Sequence, residues 1–250
     1  MMAQMTLRVA HLYPKLMNIY GDRGNIMCLV QRCAGRGIGF ELDALEVGDR
    51  LEPEAYDLVF IGGAQDREQR RVAEDLRMRK GEALRQAVAA GVAVLAVCGG
   101  YQLLGRFYRS AEGAELEGVG ILDLWTVHPG PKARRLIGNI VIEWNGRTVV
   151  GFENHGGRTY LGPDVEPLGR VLAGYGNNGE DGREGAIQGN VIGTYLHGAL
   201  LPKNPALADH LIVTALGRRY PGVELAPLDD RVEETAHQAA VRLARRRSII

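Results

Sequence analysis

The sequence predicts an α/β fold: a mostly parallel sheet flanked by helices, with an added β-rich section in the second half of the chain. Three observations carry that prediction. Short apolar runs at 7–12, 58–61 and 93–97 read as buried strands and alternate with stretches of helical periodicity. Two of these runs end abruptly, one at Gly62-Gly63 and the other at Cys98-Gly99-Gly100, as strands do where a parallel sheet turns into a helix. From residue 113 to 197 the texture changes to glycine and β-formers, with few helical patterns.

The elements follow in order. A first strand at 7–12 is broken by Tyr13-Pro14, and a loop through Gly21, Asp22 and Gly24 leads to Asn25. Asn25 is placed as the N-cap of a helix whose Ile26, Leu29, Val30 and Cys33 share one face, and Gly35 and Gly37 end it. Residues 40–45 alternate like a second strand, and 58–61 make a short buried third. A charged, arginine-rich helix is predicted from 66 to about 80 and another from 82 to 90, their charges forming a solvated face. The strand before Cys98 follows. Later strands are predicted at 121–125, 140–144, 148–152 and 190–196. Asn204-Pro205 opens a helix with a cap and a first-turn proline, and Leu207, Ala208, Leu211, Ile212 and Ala215 give it an apolar face. A last amphipathic helix at 229–246 is predicted to bury Val232, Ala236, Ala239, Ala240 and Leu243. No internal repeat or linker divides the chain, so residues 1–250 are read as one domain.

Composition narrows the function classes. Thirty basic and thirty acidic side chains give a formal net charge of zero, which provides no overall attraction to nucleic acid or to a membrane surface. Three cysteines, an odd number, suit a reducing cytosol better than a disulfide framework. Neither the cysteines nor the six histidines show metal-ligand spacing, so no metal is expected. The start of the chain lacks a signal pattern and no apolar run reaches the length of a membrane span, which makes a cytoplasmic location the expectation.

The chemistry gathers at Cys98. A buried strand that ends at a cysteine followed by two glycines and then a helical start presents the side chain at the apex of a tight turn. Main-chain N–H groups there favour thiolate over thiol. A core cysteine needs no such turn. A cysteine nucleophile needs a histidine to move its proton, and His11, His128, His155 and His197 are available. His197 is the best placed, because it follows a late strand and precedes Gly198. Gly174-Tyr175-Gly176-Asn177-Asn178-Gly179 matches the dinucleotide fingerprint letter for letter. The polar, glycine-broken residues after it cannot open the required helix, so a hairpin or loop is expected instead. No P-loop motif is present for ATP.

Cys98-Gly99-Gly100-Tyr101-Gln102 together with Gly193-Thr194-Tyr195-Leu196-His197-Gly198 resembles the class I, or triad-type, glutamine amidotransferases, of flavodoxin-like fold, in their cobyric acid synthase-like branch. The segments 16–25, 151–160 and 174–178 are similar to the small glutaminase subunit (GatD type) of lipid II isoglutaminyl synthases, which works beside a Mur-ligase-like subunit (MurT type). The resemblance implies Cys98 as nucleophile and His197 as base, with Gly62, Gly63 and the N–H of Gly99 forming the oxyanion hole. It also implies a glutamine pocket lined by Gln102, Asn154, His155 and Gly156. Arg135 would take the glutamine carboxylate, with Arg134 next to it as the competing assignment. The chain itself would carry no cofactor, ATP and magnesium being held by the partner. The implied activity is glutamine hydrolysis, with ammonia passed on to amidate the D-glutamate α-carboxyl of lipid II. Corrinoid amidation and a regulatory scaffold without turnover stay open as alternatives.

Two departures from the family pattern stand out. Most triad-type relatives carry a glutamate two residues after the histidine, where this chain has Ala199. The resemblance therefore implies that an aspartate of the partner completes the triad and activates an otherwise weak glutaminase. The second departure is Ala96, where many relatives have glycine, and alanine is small enough for the elbow to survive.

Overall fold

Strands buried on both faces need near-continuous apolar sequence, and the central sheet is built from such strands. The computed structural model describes residues 5–247. In chain order the strands are β1 (Thr6–Leu12), β2 (Gly39–Leu45), β3 (Leu58–Ile61), β4 (Ala93–Val97), β5 (Phe107–Arg109), β6 (Glu115–Glu117), β7 (Leu124–Val127), β8 (Leu136–Trp144), β9 (Arg147–His155), β10 (Arg158–Leu161), β11 (Gly169–Ala173), β12 (Arg183–Glu184), β13 (Ala186–Gln188) and β14 (Val191–Thr194). The helices are α1 (Arg23–Ala34), α2 (Asp66–Asp75), α3 (Gly81–Ala89), α4 (Gly99–Leu104), α5 (Pro205–Gly217) and α6 (Arg231–Arg247).

The main sheet has the order β13-β14-β4-β3-β1-β2, parallel throughout except for β13 at one edge. Every residue of β3, β4 and β14 is buried. At the opposite edge β2 is mostly exposed and carries charge, which discourages further strand pairing. α1 and α5 pack on each other and against β2, β1 and β4, while α4 packs on β4 and β14. The β-rich section forms two four-stranded sheets, β10-β7-β5-β6 and β12-β11-β8-β9. The second is antiparallel, and the first contains one parallel pair, β5 with β7.

Several elements differ from expectation, each for a visible reason. α1 begins at Arg23, so Asn25 is not its cap: Asn25 is buried in the first turn and its Oδ1 accepts the Leu201 N–H at 2.9 Å. The arginine-rich helix stops at Asp75 and continues as a π-helical turn, Leu76–Lys80, before α3. That turn carries Lys80 into the core, where its Nζ meets Asp75, donates to the Glu46 carbonyl and lies 4.8 Å from the Tyr13 ring centroid. Asp75 also accepts the Tyr13 hydroxyl at 2.8 Å, which fastens the loop after β1. The strand predicted at 121–125 starts only at Leu124. Asn204 precedes α5 as expected, but its side chain bonds both main-chain groups of Val150 instead of capping the helix. In α6 the buried face is rotated. Val232 is 78% exposed and Leu243 54%, while Val241 and Ala244 pack with Ala240 on Val141, Val150 and Ala173.

Candidate active site

β4 delivers Cys98 to the carboxyl end of the sheet, where α/β folds collect their chemistry. The residue adopts φ +50° and ψ −103°, a conformation uncommon for a side-chain-bearing residue, and α4 starts at the next position. The elbow thus forms with Ala96 in place. Its two flanks are tied down: the Cys98 N–H donates to the Thr194 carbonyl at 2.8 Å and the Gly100 N–H to the Gly62 carbonyl at 3.2 Å. A β-carbon on Gly100 would stand 2.7 Å from Ile61 Cγ2 and 2.9 Å from the Gly62 oxygen, so only glycine lets α4 approach β3 this closely.

His197 lies just beyond β14, and its main chain pairs with Phe152 of β9 through two hydrogen bonds. The ring is fully buried between two groups. On one side is Cys98, and on the other Nδ1–H donates to Asp22 Oδ1 at 3.3 Å. Burial opposes a charge on this imidazole, yet Cys98 and Asp22 outweigh it and hold its pKa up to about 10. The arrangement is an imidazolium set beside the nucleophile and oriented by a buried carboxylate.

Asp22 is the acid that the sequence did not reveal. It sits immediately before α1, fully buried, and its side chain does not cap that helix. The place beside Nδ1 that an aspartate of a partner was expected to fill is filled within this chain. Position 199 could not fill it: Ala199 has φ +49° and packs against Gly24, where an added β-carbon would lie 2.6 Å from the Ala199 Cβ. Asp22 also alters the expected oxyanion hole. Its Oδ2 accepts the Gly63 N–H at 2.7 Å, so that donor is engaged, while Gly62 contributes its carbonyl to Gly100. Gly63 still matters by its bareness, because a β-carbon there would meet His197 Cε1 at 2.8 Å and Cys98 Cβ at 3.2 Å.

Beside Cys98 opens a cavity of about 440 Å³ whose walls include Gln102, Arg135, Asn154, His155 and Gly156, all five residues predicted for it. Arg135 is held by Asn154, with Nε donating to Oδ1 at 2.9 Å and Nη2 to the main-chain oxygen at 3.0 Å. Arg134 instead reaches the Tyr175 hydroxyl at 3.4 Å, while Arg135 stands on the cavity wall. Gln102 is buried and doubly bonded, accepting from Gln69 Nε2 at 2.9 Å and donating to the Tyr195 hydroxyl at 3.0 Å. His155 Nδ1–H donates to the Gly157 carbonyl at 2.8 Å, and burial keeps the pKa of this imidazole below the usual range. Ala64, Arg67, Gln69 and His128 also line the cavity, a role sequence reasoning missed; among them only Gln69 is fully buried in a side-chain relay. His11 stands apart, buried among β1 and β3 side chains, its pKa lowered to about 4 by burial and then by Arg23.

The G-x-G-x-x-G segment forms a turn after β11 with no helix behind it, as expected. The main-chain N–H groups of Tyr175 and Gly176 donate to the carboxylate of Glu153 at 2.7 and 2.9 Å, leaving no phosphate cradle. Among the described residues no cluster of His, Cys, Asp or Glu could hold a metal ion, and no helix is long and apolar enough to cross a membrane.

Comparison with known proteins agrees with this geometry. The family model of the CobB/CobQ-like glutamine amidotransferase domain matches residues 8–205. The chain is 42% identical over 241 residues to the GatD subunit of the glutamine-hydrolysing lipid II isoglutaminyl synthase of Staphylococcus aureus, covering 96% of this chain and 97% of that protein. It is 43% identical to the subunit of the same name from Streptococcus pneumoniae, covering 86% of this chain and 82% of that one. A cobyric acid synthase of Pelotomaculum thermopropionicum is 37% identical over 77% of this chain but only 39% of its own length. Among solved structures, a glutamine amidotransferase from Thermotoga maritima superposes with a TM-score of 0.53 at 17% identity, over 96% of this chain and 95% of that one, which speaks for the fold.

Proposed function

Because the chain belongs to the CobB/CobQ-like glutamine amidotransferase family, we propose that it hydrolyses the side-chain amide of L-glutamine and hands the ammonia to a second subunit. The observation that carries this reading is the alignment of Cys98, His197 and Asp22 at the edge of a cavity that Arg135 also lines. The Arg135 guanidinium, oriented by Asn154, suits the substrate's α-carboxylate. The Cys98 thiolate attacks the side-chain carbonyl carbon, and the carbonyl electron pair moves onto oxygen. The tetrahedral intermediate collapses as the His197 imidazolium protonates the departing nitrogen, releasing ammonia and leaving a γ-glutamyl thioester. Neutral His197 then takes a proton from water as the water attacks the thioester. Glutamate leaves and the thiolate–imidazolium pair is restored. Throughout, Asp22 keeps the ring oriented by accepting the Nδ1–H, so the proton exchanged is the one on Nε2.

The full-length similarity to subunits named for lipid II isoglutaminyl synthase supports a destination for the ammonia. It would amidate the D-glutamate α-carboxyl of the lipid II stem peptide to D-isoglutamine, on a Mur-ligase-like partner that holds ATP and magnesium and works in the cytoplasm. The corrinoid reading has less support, since the cobyric acid synthase match covers a minor part of that protein. In the complex of this chain with its partner, Cys98→Ala is expected to abolish glutamine-dependent amidation by several orders of magnitude, while ammonium salts still support it. Loss of both activities would count against an ammonia-donor role. With Asp22 in place, the isolated chain is expected to release glutamate from glutamine on its own.

A further inference from the structure

We propose that Tyr13 is a positioning residue for the triad: gripped by Asp75 and Lys80, it sets the loop that presents Asp22 to His197. This rests on the glutaminase reading and adds to it a group that lies outside the cavity.

Backbone strain points there first. Among the described residues, four that carry side chains have positive φ. Asn145 turns the hairpin between β8 and β9, where such a conformation is ordinary. The other three lie on the three segments that carry the triad. Cys98 is the nucleophile, Ala199 follows His197 by two residues, and Tyr13, at φ +55°, opens the loop that ends in Asp22. A bulky residue in that conformation persists only where its surroundings over-determine it.

The surroundings of Tyr13 do so. It is fully buried, its N–H donates to the Leu45 carbonyl at 2.7 Å, and its hydroxyl donates to Asp75 Oδ2 at 2.8 Å. Asp75 Oδ1 accepts the Gly48 N–H at 2.9 Å, and Oδ2 also meets the ammonium of Lys80, which the π-helical turn carries wholly into the core. From this anchor the loop is tied at each step. The Tyr13 carbonyl accepts the N–H groups of Leu16 and Met17 at 2.9 and 2.7 Å, and the Ile19 N–H donates to the Gly63 carbonyl at 3.2 Å. The Asp22 N–H donates to the Ile19 carbonyl at 3.3 Å. The loop also presses on the end of β3, since a β-carbon on Gly62 would stand 2.1 Å from the Met17 oxygen. At 3.3 Å the contact from His197 Nδ1 to Asp22 Oδ1 is already long. A loop slackened by about half an ångström takes it out of hydrogen-bond range.

The test is made in the complex of this chain with its partner. Tyr13→Phe deletes the hydroxyl and keeps the ring. It is expected to lower kcat for glutamine about tenfold with KM within about twofold, as a slightly misplaced group does. The pH profile of Cys98 alkylation by iodoacetamide, which needs no glutamine, should move upward, in the direction expected of Asp22→Asn. Tyr56→Phe breaks the same kind of bond, to Asp43 at 2.9 Å on the β2 edge, and should leave both readouts at wild type. With Asp22→Asn already present, Tyr13→Phe should add less than about a twofold change, because its effect runs through that carboxylate. Wild-type kinetics and profile for Tyr13→Phe would overturn the assignment. So would equal losses from Tyr56→Phe, or an undiminished loss on top of Asp22→Asn. Failure of the wild-type complex to hydrolyse glutamine would remove the glutaminase reading, and the alkylation profile would still decide whether Tyr13 positions Asp22.

Discussion

The imidazole of His155 lies flat on the phenol of Tyr195, ring centroids 3.6 Å apart and planes within 5° of parallel. The stack joins the cavity wall to a buried relay. The Tyr195 hydroxyl accepts from Gln102 Nε2 at 3.0 Å and meets Thr159 Oγ1 at 2.6 Å, and Thr159 in turn meets Thr126 at 2.7 Å. Tyr195→Phe keeps the ring and strands these partners. It is expected to lower stability by about 1–3 kcal/mol, the cost of an unsatisfied buried polar group, and to raise KM for glutamine by loosening Gln102. Thermal unfolding and steady-state kinetics check this together. Unchanged values for both would mean that the relay is dispensable.

Arg135 is exposed, is oriented by Asn154 and lines the cavity. Arg135→Ala is expected to raise KM for glutamine by about 10- to 100-fold, the equivalent of one charge-assisted contact. Iodoacetamide alkylation of Cys98 should be unaffected, since that reagent carries no carboxylate. Arg134→Ala, its neighbour, should leave KM near wild type.

The Asp22 carboxylate stabilises the charged form of His197, and the imidazolium stabilises the thiolate. Asp22→Asn removes the charge but leaves an oxygen for the Gly63 N–H. The His197 pKa is then expected to fall and the ion pair to weaken, so that alkylation of Cys98 at pH 7 slows by about tenfold and its pH profile moves upward. A profile identical to wild type would show that Asp22 does not act on the imidazole. A slower rate with an unmoved profile would point to misplacement alone.

Glu184 is fully buried, accepting from Thr194 Oγ1 and from the Tyr195 N–H at 2.7 Å. Burial raises its pKa to about 8, only partly offset by those donors. Between the ordinary carboxyl value of 4.5 and about 8 the folded chain therefore holds a proton that the unfolded chain has lost. Stability from this group accordingly falls as pH rises through that window, by at most about 1.4 kcal/mol per pH unit. Glu184→Gln should remove that slope, so its melting temperature gains on wild type steadily from pH 5 to pH 8. Parallel melting curves across that range would refute the assignment.

The sequence discloses what local pattern can carry. The parallel strands showed in apolar runs, the nucleophile in Cys98-Gly99-Gly100, and the base in a histidine at a strand end. Asp22 stayed hidden because nothing local marks it: it is one acid in a polar loop, and its partner is 175 residues away. The face of α6 was misread because its small and apolar residues offer two neighbouring stripes, and packing on Val141, Val150 and Ala173 selects the one through Val241 and Ala244. Asn25 was misread because an asparagine ahead of an apolar run looks the same whether it caps a helix or bonds Leu201.

The span between Asp22 and His197 has a consequence for how the protein comes into being on the ribosome. β14, which brings the histidine, pairs with β4 from the far end of the chain. A chain that ends before β14 carries the cysteine elbow but lacks the histidine. Closing so long a loop is slow compared with forming neighbouring helices. The cysteine therefore meets its base and the buried acid only once β14 has joined the sheet.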